Sequence, residues 1–156
     1  MEKEKTLQEL VSNLVTVTQR DYFLDSIEVL EKSLFATHQT IFELTSLALS
    51  LPWSDIVLRM YHEQNLIDQD KDACRAILES IKTAVKHMET VEIRVAYNIT
   101  DADVRDIRNW FFFQLKKNML LNIIVDPSII GGIIIYRNGI YKDYSVAHYI
   151  EQYGSV

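Results

Sequence analysis

The chain has 156 residues, 48% hydrophobic and 24% charged, with a net charge of -6, four Gly, two Pro and one Cys. That balance suits a globular chain with one good core or two small ones, and it excludes extensive disorder and long Gly/Pro linkers. Residues 1–90 carry nine Lys+Arg against fifteen Asp+Glu and residues 91–156 carry seven of each, which excludes a basic surface able to displace counterions from nucleic acid. A single Cys74 excludes an internal disulfide and a thiolate zinc cluster. No apolar run spans a bilayer, and the opening MEKEK lacks a signal-peptide core, so a cytoplasmic protein without direct membrane insertion is expected.

The first ninety residues read as helices with a period near 3.6. Leu7, Leu10, Val11, Leu14 and Val15 fall on one face, then Phe23, Ile27, Leu30 and Leu34, then Ile41, Leu44, Leu47, Ala48 and Leu51. Pro52 stops the third helix near Ser50 to Leu51 and suits the first turn of a fourth, with Ile56, Val57 and Met60 inward. A fifth is predicted from Asp70 to Met88, burying Ile77, Ile81, Ala84, Val85 and Met88. These make a helical bundle over residues 1–89.

At Thr90 the period falls to 2, as Val91, Ile93, Val95 and Tyr97 alternate with Glu92, Arg94, Ala96 and Asn98. Thr100 and Asp103 have capping-box spacing, so a helix opens at Asp101, with Val104, Ile107, Phe111 and Leu115 inward. Strands follow at Leu120 to Val125, Ile133 to Arg137 and Ile140 to Asp143, with a last helix from Val146 to Tyr153. The fold class is therefore α+β: an N-terminal helical bundle, then a small mixed sheet with covering helices, β-α-β-β-β-α, over residues 90–156. The first two strands should be parallel and the later ones added as hairpins. Trp110, Phe111, Phe112 and Phe113 lie about 100° apart around their helix and cannot all face one sheet.

Catalytic patterns are not formed. His38, His62, His87 and His148 are scattered, no Gly-x-Ser-x-Gly surrounds a Ser, and His62-Glu63 lacks the second His of a helical zinc motif. Asp68, Asp70 and Asp72 resemble a calcium loop without its central Gly and read better as acids opening a helix. Gly131-Gly132 precedes apolar residues instead of the Lys-Ser/Thr of a phosphate loop, so it reads as a tight turn. Asn138-Gly139 suits a two-residue hairpin turn, and Asp126 and Asp143 at strand ends suit turn capping. No catalytic residue, metal ligand or cofactor site is assigned.

The stretch VDPSIIGGIIIYRNGIYKDYSV, residues 125–146, does carry a specific order: Asp126, Pro127, Ser128, Ile129, Ile130, Gly131, Gly132, then Gly139, Asp143 and Ser145. It resembles the carboxy-terminal signature of the delta subunit of F-type ATP synthases, the oligomycin-sensitivity-conferring subunit of mitochondria. Thr90 to Thr100 and the helix from Asp101 to Lys117 extend the likeness. Tyr144 stands where the family often has Gly, and Ala147, His148 and Tyr149 replace an Arg-Gly-Arg-like run, which fits a divergent bacterial form.

The resemblance implies a non-catalytic stator adaptor, one copy per complex, peripheral to the inner (plasma) membrane through the synthase. It would link the catalytic head to the b-subunit stalk during proton-driven ATP synthesis, its helical domain binding the alpha subunit and its α/β domain the b subunit. Helix-in-groove docking then gives Leu7, Leu10 and Leu14 as candidate contacts toward alpha and Trp110, Phe112 and Phe113 toward b, with ordinary core packing the favoured reading for any single one of them. The alternative reading is an unrelated cytoplasmic helical protein-binding or regulatory adaptor.

Overall fold

The computed structural model describes residues 2–66 and 70–154, so Asp68 lies outside the described residues. Its chain divides into two units: the first holds Met1–Leu14 and Thr18–Met88, the second Val15–Val17 together with the chain from Glu89 onward.

The first unit contains α1 (Glu2–Ser12), nearly all of α2 (Val17–Ala36), α3 (Ile41–Ala48), α4 (Trp53–Glu63) and α5 (Lys71–Lys86). In α2 the predicted stripe Phe23, Ile27, Leu30 and Leu34 is fully buried. A capping box starts α3: the Thr40 hydroxyl accepts from the Glu43 amide at 3.2 Å, and the Glu43 carboxylate accepts from the Thr40 amide at 3.1 Å. Asp70 caps α5, its carboxylate accepting from the Ala73 amide at 2.9 Å, so this acid serves a helix start. Trp53, Ile56, Val57, Met60 and Tyr61 of α4 and Cys74, Ile77, Leu78, Ile81 and Val85 of α5 are among the buried residues of this unit. The Cys74 thiol donates to the Tyr61 hydroxyl at 3.2 Å, and burial pushes that thiol up to about 11. It is an inert core thiol at neutral pH.

Three expectations are corrected here. Leu47 and Leu51 are exposed; α3 ends at Ala48, and the extended backbone of Leu49 turns that side chain inward instead. Pro52 is the cap residue before α4 and not part of its first turn. Val15 does not continue the face of α1, because the helix ends at Ser12 and the chain has straightened by Thr16, which bridges in parallel to Leu121 in the second unit.

The second unit comprises β1 (Thr90–Val95), α6 (Asp101–Leu115), β2 (Leu120–Val125), β3 (Ile133–Arg137), β4 (Ile140–Asp143) and α7 (Val146–Tyr153). The sheet order is β2-β1-β3-β4. β1 and β2 are parallel, with Ile93 opposite Ile123, whereas β3 runs antiparallel to β1, with Ile93 opposite Ile135. Only β3 and β4 form a hairpin; the chain from β2 passes to the far side of β1 before β3 begins, which corrects the expectation that all later strands add as hairpins. Strand alternation puts Val91, Ile93 and Val95 on one face, where they form a core with Phe111, Met119 and Leu121. Val104, Ile107 and Leu115 of α6 pack on that core, and Thr100 and Asp103 make the predicted capping box.

Candidate docking surface

The residues between β2 and α7 form a junction held by turns. At its start the Asp126 carboxylate accepts from the Ser128 amide at 3.0 Å and from the Ser128 hydroxyl, and these bonds, with Arg94 nearby, hold its pKa below the usual range. Ile129 then turns into the interior while Ile130 stays 66% exposed. Gly131 and Gly132 follow with φ of +67° and +84°, a region that L side chains rarely adopt. A Cβ on Gly132 would overlap the Tyr144 carbonyl oxygen and lie 2.8 Å from the Ser145 Cα, so this glycine admits the backbone that follows β4.

The other half of the signature completes the crossing. Asn138 (φ +49°) and Gly139 (φ +77°) make the two-residue turn between β3 and β4. The Asp143 carboxylate accepts from the Ser145 amide at 2.8 Å and from the Tyr141 hydroxyl at 2.7 Å, bonds that lower its pKa and push the Tyr141 phenol up to about 12. Ser145, itself buried, caps α7 by accepting from the His148 amide at 3.2 Å. Tyr144 donates from its amide to the Ile133 carbonyl at 2.9 Å, and Val146 to that of Gly131 at 3.3 Å. Each polar signature residue thus closes a turn or a cap, and the junction fixes where α7 leaves the sheet.

What this architecture presents to solvent is apolar. Of nineteen exposed large hydrophobic side chains among the described residues, fourteen belong to the second unit. Phe111 alone of the four adjacent aromatics is buried; Trp110 is 50% exposed, Phe112 41% and Phe113 68%. Beside them a groove opens between α6 and the β3–β4 hairpin, walled by Trp110, Phe111 and Leu115 on one side and by Ile135, Ile140 and Tyr144 on the other. Its charged lining is cationic, from Arg137 and Lys142. Arg137 also pairs with Glu89 at 3.1 Å, and Glu89 pairs with Lys117 at 2.7 Å, so that carboxyl is held below its ordinary pKa, chiefly by Lys117. On α7, no residue is buried, and Tyr149, Ile150 and Tyr153 are each more than half exposed.

The predicted contacts fare differently. Trp110, Phe112 and Phe113 stand at the surface. Leu10 and Leu14 have no exposed area and Leu7 is only partly exposed, which corrects the reading of these three as one docking face: the inward side of α1 and its end is core. Sequence reasoning missed Ile140, Tyr144 and the apolar face of α7, which the hairpin and the junction bring to the surface. The apolar step of α7 was visible as Val146, Tyr149, Ile150 and Tyr153, but nothing in the sequence showed that these side chains stay largely exposed.

Among the described residues, no three His, Cys, Asp or Glu side chains gather as a metal ion would need, and no helix is long and apolar enough to cross a membrane. An α+β unit with a concentrated exposed aromatic surface has the character of a protein-docking module. The family model for the ATP synthase delta (OSCP) subunit matches residues 58–155, from within α4 to past the end of α7, and the chain belongs to that family. It is accordingly a peripheral-stalk subunit of an F-type ATP synthase, a structural component that associates with other subunits of the complex. A comparison with curated proteins found no match.

Proposed function

We propose that this chain joins the catalytic head of the synthase to the b-subunit stalk and keeps the head from turning with the rotor while protons drive ATP synthesis. Residues 1–89 serve as the alpha-binding domain and residues 90–156 as the stalk-binding domain, on the cytoplasmic side of the inner (plasma) membrane. The observation that carries this reading is the apolar surface of the second unit. Fourteen large hydrophobic side chains exposed on so small a unit are costly to leave in water and gain free energy when a partner covers them. Trp110, Phe112 and Phe113, with the groove beside them, form the face offered to b. Aromatic side chains of this kind commonly anchor interfaces. Toward alpha, Leu7 remains from the predicted face, since Leu10 and Leu14 are enclosed.

Affinity capture of the tagged full chain from its native membranes tests this assignment. Recovery of both alpha and b is the expected result. Recovery of neither would remove the linking role.

A further inference from the structure

The chain passes between the two units three times, because Val15–Val17 belongs to the second while the residues on either side belong to the first. In the second unit this segment lies along β2. The Leu121 amide donates to the Val15 carbonyl at 2.9 Å, Thr16 bridges in parallel to Leu121, and the Val15 side chain packs on the core of Val91, Ile93 and Phe111. A segment between two helices thus serves as a one-bridge strand on the edge of a sheet.

That edge needs protection. β2 reads LLNIIV, six residues without a charge, a Pro or a Gly, and it is an outermost strand of the sheet. Natural edge strands are usually blunted by a charge, a Pro, a bulge or a cover, because an uncharged β-prone edge pairs readily with another chain. The even-numbered amides face inward: Leu120 donates to Glu89 and Asp126 to Val95. By the alternation of a strand, the amides of Leu121, Ile123 and Val125 point to the outer edge. Of these, the Leu121 amide is held by the connector, through the Val15 carbonyl.

We propose that Val15–Val17 is an edge guard: a strap that covers the first part of β2 at Leu121 and so hinders full-length β2-to-β2 pairing between two copies of this chain. The occupant of the opened edge is a second copy, because the uncharged strand is its own best complement and carries no like-charge repulsion. The strap is short, so it is the weak member of the sheet, and its release exposes the edge without dismantling the six-residue pairing of β1 with β2.

Two measurements on the full chain test this. In native-state hydrogen exchange the Leu121 amide should exchange at least about tenfold more slowly than those of Ile123 and Val125. Equal rates would overturn the proposal without recourse to any variant. Val15→Asp, which places a carboxylate against the apolar core, should remove that protection and give concentration-dependent oligomers in sedimentation velocity. Adding Asn122→Lys, a charge in the middle of β2, should then restore the sedimentation of the wild-type chain. Oligomers that persist in the double variant, or none in Val15→Asp although Leu121 protection is lost, would contradict an edge guard.

Discussion

Gly132→Ala should destabilise the second unit by about 3 kcal/mol. Two costs add. At φ +84° an L residue is in a conformation that its side chain disfavours by roughly 1–2 kcal/mol. The new methyl group must also displace the backbone of Tyr144 and Ser145, which is pinned by the Tyr144 bond to Ile133 and by the Ser145 cap on α7. Overpacking against fixed backbone costs a further 1–3 kcal/mol or so. Gly139→Ala separates the terms, since φ is +77° there but nothing lies within 4 Å of the added carbon, so it should cost only roughly 1 kcal/mol. Urea unfolding read from Trp110 fluorescence in a Trp53→Phe background follows the second unit. Equal midpoints for the two alanine variants would show that Gly132 is needed for its dihedral angle alone and that the junction is not closely packed.

The second large effect concerns binding. The pair Trp110→Ala and Phe113→Asp should weaken capture of b by at least about thirtyfold, the equivalent of one 2 kcal/mol anchor, while leaving the fold intact. The fold is spared because both side chains are half or more exposed, and surface changes away from caps and cores usually move stability by less than about 0.5 kcal/mol. Far-ultraviolet circular dichroism and the urea midpoint check that condition. Capture of alpha should be unchanged in the same variant. A loss of both partners would point to unfolding, and a loss of neither would place the b contact elsewhere on the chain.

Much of this was legible in the sequence, and the misses share one cause. The period switch at Thr90, the capping pair Thr100 and Asp103 and the Asn138-Gly139 turn are local signals, and each element from β1 to α7 follows from them. Proximity in space is not a local signal. Val15 reads as one more apolar residue of α1, yet the helix stops at Ser12 and a single β-bridge at Thr16 has no period by which to announce itself. Leu10 and Leu14 have the spacing of a docking face and of a core stripe alike, and only packing decides that they are core. The 100° spacing of Trp110 to Phe113 did show that these aromatics could not all face one sheet and that at least one needed a second apolar surface. It could not show that Ile140 and Tyr144 would stand opposite Trp110 across a groove, since that depends on β3 pairing with β1 instead of β2. The signature from Asp126 to Ser145 sits between these extremes: its residue types announce turns, while the need for Gly132 comes from a backbone twelve residues later.

A photoreactive amino acid placed at Phe113, 68% exposed on α6, tests the linking role most directly when irradiated in the assembled synthase. The stalk-binding assignment predicts a covalent adduct between this chain and b, absent without light. An adduct with alpha alone, or no adduct in a complex that contains the labelled chain, would contradict it.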